Sequence, residues 1–384
     1  MGSLWKNNKN RRFCSFRLEG ASMDIIIYGA GYYGKKLLSV VKKYQDVNIL
    51  GFADSNLTGS IGDKNILDIF HNVERYRKLP IVISVASFED RYSIYLKLKD
   101  AGFEYIYFYL RKEYCYKGKF LENECVSLRD IKNNTLFYAE MSIVDFCNLN
   151  CKGCNHYSPI FDKKYPDIEI RMRDIKKISE LYDRVIEFGL IGGEPLLNPQ
   201  IKEYIQQTRQ LLPNTEIQMV TNGLLIPNLD HDILKCMSDN KITIAISEYI
   251  PTMKIIEKIT NTLRNHNIDY VLKPAMFKEK FYKTLSLKSD SNYSKKCISQ
   301  GCINICDGRI AKCPTVLYIE TLNKKFNVNF PTDGIYLLEN FEVGEELNKA
   351  LEKKLPLCEY CIDYQIKWEP CSNDKRLEDF VVVE

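Results

Sequence analysis

Three cysteines, Cys147, Cys151 and Cys154, stand in the pattern C-x3-C-x2-C between Phe146 and His156. Three thiolates this close can converge on three corners of one iron–sulfur cluster. A fourth cysteine is missing from the neighbourhood, so one iron would be open to another ligand, which implies chemistry at the metal as well as electron storage. The alternative for the same residues is a structural zinc site with His156 as the fourth ligand. A second group follows: Cys297, Cys302, Cys306, Cys313, Cys358, Cys361 and Cys371. Its spacing, a run from Cys297 to Cys313-Pro314 and a later Cys358-x2-Cys361, suits one further cluster with ligands from two segments. Near the front, Gly29, Gly31 and Gly34 form G-x-G-x-x-G after an apolar run, and Asp54 follows about 20 residues past the last glycine. That order can cradle a phosphate and meet a ribose hydroxyl.

These groups need strands and helices to hold them. From residue 135 apolar runs at 136–144, 184–191, 216–221, 242–247 and 268–272 read as strands. Helical spacing lies between them near 172–182, 200–211, 230–238 and 253–265. Strand alternating with helix implies a parallel sheet with right-handed crossovers, and so many units imply a barrel or partial barrel. Barrel chemistry sits at the strand carboxyl ends. There fall Cys147 to Cys154, Gly192-Gly193-Glu194-Pro195, Thr221-Asn222-Gly223 and Ser247. In front, the run entering Gly29, a helix over 35–44, runs at 47–53 and 81–85, a helix over 92–101 and a run at 105–110 describe about half of a dinucleotide-binding domain. Asp307-Gly308 reads as the turn of a short hairpin.

With 384 residues the chain has room for two or three domains. We divide it into a leader or disordered stretch 1–22, a Rossmann-like domain 23–111, a linker 112–134, a barrel 135–290 and a cysteine-rich extension 291–384. Cys115 and Cys125, in the linker, read as ordinary thiols. A formal charge of +4, from 54 basic and 50 acidic residues, gives no mandate for nucleic acid. Fourteen cysteines with neither an apolar signal segment nor a membrane-length run point to a reducing cytoplasm, with no membrane partner. There clustered cysteines bind metal or do chemistry.

On these motifs, in this order, residues 136–277 strongly resemble the radical S-adenosylmethionine (SAM) enzymes. The resemblance implies a partial (β/α)6 TIM-type barrel in an α/β chain. Cys147, Cys151 and Cys154 would hold a [4Fe-4S] cluster whose open iron takes the amino and carboxylate groups of SAM. Gly192 and Gly193 would let a strand edge approach the methionine, and Glu194 would accept from its ammonium. Asn222 and Ser247 are candidates for the ribose and carboxylate side. One electron would then cleave the sulfonium, and the 5′-deoxyadenosyl radical would take a substrate hydrogen. Family members usually carry an aromatic residue just before the third cysteine; here Gly153 stands there, so the adenine contact passes to Tyr157 or His156.

The carboxyl-terminal cysteines resemble the auxiliary-cluster extension of the same family, twitch in its short form and SPASM in its long form. The short form implies one auxiliary [4Fe-4S] cluster. We take Cys297, Cys313, Cys358 and Cys361 as its ligands, with Cys302 and Cys371 as alternatives. The front domain resembles those fused to sugar-modifying enzymes, sharing Phe52-Ala53-Asp54-Ser55-Asn56. A nucleotide at Gly29, Gly31, Gly34 and Asp54 is set against an empty docking domain. The expected activity is oxidation or epimerisation of a nucleotide-linked sugar in carbohydrate biosynthesis, with a flavodoxin or ferredoxin as reductase and Cys236 as candidate hydrogen donor. The other readings are a peptide-modifying maturase and a non-catalytic metal-binding scaffold.

Overall fold

The computed structural model describes residues 22–85, 88–112, 115, 118–129, 131, 134–273, 281–290, 297 and 301–383. They fall into two compact units. One takes residues up to 86, 93–109 and 119–129; the other takes 87–92, 110–118 and 130–384.

The first unit carries β1 (Met23–Tyr28), β2 (Val47–Ala53), the short hairpin β3 (Ser60–Ile61) and β4 (Lys64–Asn65), then β5 (Ile81–Ile83), β6 (Ile106–Tyr109) and β7 (Cys125–Ser127). Its five-stranded sheet has the order β2-β1-β5-β6-β7. Only the β6–β7 pair is antiparallel. Ile25, Ile26 and Ile27 are all fully buried, as in a parallel strand covered on both faces. Helix Tyr32–Val41 buries Leu37, Val40 and Val41 at helical spacing. The chain passes to β2 on one side of β1 and to β5 on the other, which makes the carboxyl end of β1 a switch point. The expected helix over 92–101 begins earlier, as Phe88–Asp100.

The second unit is built on β8 (Thr135–Ser142), β9 (Arg184–Ile191), β10 (Glu216–Thr221), β11 (Thr243–Ser247) and β12 (Tyr270–Lys273). Between them run helices Ile168–Leu181, Ile201–Leu211, His231–Asp239 and Ile256–Asn265. Alternate residues of β8, Ala139 and Met141, enter an apolar core with Ile175 and Ile178 from the first helix and Phe188 from β9. Of the other set, Tyr138 donates its hydroxyl to the buried Glu140 carboxylate at 2.6 Å. The five strands lie within a few residues of their expected limits.

One part of the expected architecture changes. Beyond β13 (Phe281–Ser286), strand β14 (Ile303–Cys306) pairs parallel with β8, on the side away from β9. It leads through β15 (Arg309–Ala311) to β16 (Tyr336–Leu337), completing an eight-stranded sheet ordered β12-β11-β10-β9-β8-β14-β15-β16. The sixth parallel strand therefore comes from beyond residue 290, and the expected boundary there runs through one sheet. A bare β8 edge would leave a row of backbone groups unpaired, and β14 supplies their partners while Ile305 and Ile310 join the β8 core. Asp307 and Gly308 turn β14 into β15 with φ of 50° and 73°, the two positive angles of a tight hairpin turn. A separate sheet places β13 between β17 (Cys361–Ile366) and β18 (Val381–Val382).

Candidate metal centre

The loop carrying Cys147, Cys151 and Cys154 leaves the carboxyl end of β8 and is gripped from two sides. On one side, Gly193 N–H donates to the Val144 carbonyl at 2.7 Å and Glu194 N–H to that of Phe146 at 3.1 Å. A Cβ on Gly192 would run into the Val144 carbonyl and one on Gly193 into that of Phe146. These glycines are therefore needed for the approach of two backbones.

On the other side lies a segment more than two hundred residues later. Lys152 N–H donates to the Glu369 carbonyl at 3.0 Å, Cys371 N–H to that of Asn150 at 2.7 Å, and Gly153 N–H to that of Asp379 at 2.7 Å. Lys152 Nζ meets Glu369 Oε1 at 2.6 Å. The absent aromatic at position 153 has its explanation here: Gly153 has φ 71°, and its missing side chain would collide with the Tyr282 carbonyl of β13. No larger residue fits between the loop and that strand.

The three thiols share an apolar shell of Leu149, Phe281, Trp368, Leu224, Tyr249 and Ile366. N–H groups nevertheless point at the sulfurs. Trp368 Nε1 donates to Cys151 Sγ at 3.1 Å, Leu149 N–H to Cys147 Sγ at 3.4 Å, and Asn222 Nδ2 lies 3.9 Å from Cys147 Sγ. Burial pushes the Cys147 thiol up to about 12, and raises Cys151 and Cys154 too; charge on neighbouring thiols adds to the rise at Cys147 and Cys151. Metal binding would have to displace those protons. Clustered thiols in a dry shell, met by N–H donors, suit a cluster bound through thiolates. Among the described residues no group of three or more His, Cys, Asp or Glu is arranged around a single ion. His156, the zinc partner considered above, has Nε2 3.8 Å from Glu140 Oε1 and its ring against Tyr318.

The other motif residues line up along the same sheet edge, because β11, β10, β9 and β8 are consecutive neighbours. Glu194 is fully buried; its carboxylate accepts from Thr221 Oγ1 at 2.6 Å, Asn222 N–H at 2.9 Å and Leu196 N–H at 3.1 Å. Burial raises its pKa to about 7 against those three bonds. A carboxylate offers about four lone-pair sites, so about one is left for a ligand. Asn222 donates to Asn148 Oδ1 at 2.7 Å, and its carbonyl accepts from Thr252 Oγ1 at 2.6 Å. Ser247, buried, ends β11.

Two expected contacts are relocated. Tyr157 is 1% exposed and packs against Phe380 in the carboxyl-terminal core, where no ring face is left for an adenine. Cys236 lies in helix His231–Asp239, its thiol 3.9 Å from the Lys202 carbonyl of the preceding helix. This helix-to-helix packing takes it away from the strand ends where a hydrogen donor would work.

Of the later cysteines, Cys313 feels the charges of Cys361, Cys297 and Cys358, and burial pushes its thiol up to about 12. Cys361 in turn feels Cys358 and Cys297. Burial raises the Cys302 thiol, the charge of Glu140 adds to the rise, and those of Cys313 and Cys297 add less. Cys371 flanks the first loop through its backbone bonds to Asn150, and its thiol feels Cys154. Cys306 accepts from the buried Arg171 at 2.9 Å.

In the first unit, Gly34 allows its helix to press on the Gly29 carbonyl, and Gly31 caps that helix with open space around it. Asp54 is engaged within the chain, with about one of its four lone-pair sites left over, as at Glu194. Its carboxylate accepts from Ala30 N–H at 2.8 Å, Asn56 N–H at 2.9 Å and Leu57 N–H at 3.1 Å, which knits the glycine loop to the end of β2. A cavity of about 170 Å³ beside it is lined by Tyr28, Asp54, Leu57, Asp68 and Phe70 among others. It is smaller than the roughly 300–1,000 Å³ of ordinary ligand pockets.

Sequence reasoning missed Asn148, Thr252 and Trp368, and it placed Thr221 in a motif without its bond to Glu194. Nothing local marks Trp368, whose contact spans 217 positions.

Residues 141–275 match the model of the Radical SAM superfamily, and the chain carries a domain of that kind there. Among curated relatives, the GTP 3′,8-cyclase of Alkaliphilus oremlandii is 26% identical over 129 residues, covering 32% of this chain and 39% of that protein. The GTP 3′,8-cyclase of Clostridium acetobutylicum is 29% identical over 116 residues, covering 28% and 33%. The chain thus spans about two fifths or less of the length of these relatives. Among solved structures, BtrN in complex with AdoMet and 2-DOIA is 14% identical with a TM-score of 0.37, covering 59% of this chain and 93% of that one. The anSMEcpe structure with bound AdoMet and Cp18Cys peptide is 17% identical with a TM-score of 0.29, covering 35% and 42%. Among the described residues no helix is long and apolar enough to cross a membrane.

Proposed function

We propose that this chain is a radical SAM enzyme acting on a nucleotide-linked sugar, which it oxidises or epimerises. The observation that carries the first half is the alignment of the three-thiol loop, Glu194, Asn222 and Ser247 along the carboxyl edge of four adjacent strands. Cys147, Cys151 and Cys154 would hold a [4Fe-4S] cluster, and the remaining lone pair of Glu194 would accept from the amino group of SAM. Bound together, cluster and SAM supply reductive cleavage of the sulfonium and a 5′-deoxyadenosyl radical that abstracts a substrate hydrogen. The chain's own part is to exclude water with the shell of Leu149, Phe281 and Trp368 and to hold the loop by Gly193, Glu194, Lys152 and Cys371. Electrons come from a flavodoxin- or ferredoxin-type reductase. Cys297, Cys313, Cys358 and Cys361 hold the auxiliary cluster.

The sugar half rests on the first unit, whose glycine loop opens at the switch point of a parallel sheet. A second reading, a purine nucleotide as substrate, is favoured by the name GTP 3′,8-cyclase on the relatives. Anaerobic reconstitution with iron and sulfide, then dithionite and SAM, is expected to yield 5′-deoxyadenosine; its absence would overturn the enzyme reading. Adding nucleotide sugars or GTP in deuterium-labelled form distinguishes the two substrates by which one passes its label into 5′-deoxyadenosine.

A further inference from the structure

We infer that Trp368 is a positioning residue for the iron–sulfur centre on the Cys147–Cys154 loop, and that its indole N–H, given to Cys151, sets that centre's reduction potential. This rests on the reading of that loop as a cluster site. Indole Nε1–H is a donor only, and here it is spent on a sulfur at 3.1 Å. The ring is 9% exposed and lies among Leu149, Phe281 and Ile366, with Tyr249 tilted against it at 6.2 Å between centroids. In so apolar a setting a hydrogen bond to a charged sulfur is electrostatically strong.

Reducing a cluster adds one negative charge that its sulfurs share. An N–H directed at one of those sulfurs therefore stabilises the reduced form more than the oxidised form and raises the potential. The donor arrives on a track that does not depend on it. Cys151 pairs with Pro370 as an isolated β-bridge, and the bonds of Lys152 to Glu369 and Cys371 to Asn150 flank that bridge. Replacing indole by phenyl leaves these backbone bonds and most of the ring packing, and removes the N–H.

The test is a redox titration of the full chain, anaerobically reconstituted and followed by the electron paramagnetic resonance signal that SAM perturbs. In Trp368→Phe that signal is expected to titrate at a more negative potential. At the wild-type midpoint the ratio of reduced to oxidised centre should fall several-fold, with iron per chain unchanged. An unmoved midpoint with equal iron overturns the inference. If wild type gains no SAM-responsive centre, the cluster reading of the loop fails instead. Should Trp368→Phe lose the centre, a second measurement leaves position 368 intact. The chain has two tryptophans, Trp5 and Trp368. In Trp5→Phe protein grown with 15N-indole tryptophan, electron–nuclear double resonance of the reduced centre should show one 15N coupling. Its absence also overturns the inference.

Discussion

Glu194 shows how much one side chain can be asked to do. It joins β9 to β10 through Thr221 and Asn222, yet burial raises its pKa from 4.5 to about 7. A carboxyl raised in the fold keeps its proton more tightly folded than unfolded. Its contribution to stability is present below about pH 4.5 and lost as pH rises through about 7. At 1.36 kcal/mol per unit, that is a fall on the order of 3 kcal/mol. Anaerobic urea unfolding at pH 5 and pH 8 should show it in wild type, and Glu194→Gln should flatten it. Of this site, the three thiols and Glu194 were legible in the sequence because their spacing is local. The packing of Tyr157 was not, since Phe380 lies far along the chain.

At the level of elements, the loop is a run of bends and turns with one bridge, Cys151 to Pro370, held between the end of β9 and residues 369–379. Gly153 is where the fit to β13 is tightest. Gly153→Ala must adopt φ 71° and displace the Tyr282 carbonyl, at a cost of roughly 1–3 kcal/mol. A lower denaturation midpoint together with less iron per chain is expected; an unchanged midpoint would contradict the close approach. The strands β8 to β12 could be read from apolar runs because each is a local pattern. The partner of β8 could not, since β14 is four residues long and is recruited from the far side of β13. Pairing across such distances is a property of the folded sheet, which is why the expected domain limit at 290 cut through it. The same holds at Asp54, whose place after β2 was readable but whose bond to Ala30 depended on how the glycine loop folds back.

For the molecule as a whole, the proposed function assigns two sets of thiols to two clusters: Cys147, Cys151 and Cys154 to one, and Cys297, Cys313, Cys358 and Cys361 to the other. Each group, if it holds a four-iron cluster, contributes about four irons. Reconstituted wild type should carry about eight per chain and the Cys313→Ala/Cys361→Ala variant about four. That variant should still form 5′-deoxyadenosine from SAM; loss of both clusters together would show that the two groups are not separate sites.

The grip of residues 368–379 on the loop also has a consequence in time. While the chain is being made, β8 to β12 can collapse on their helices through nearby contacts. The thiols of the loop, however, stay uncovered until a partner 217 positions later has been synthesised. Contacts so distant in sequence form late. If the loop holds the proposed cluster, that delay is a window in which iron and sulfide reach its thiols before Trp368 covers Cys151.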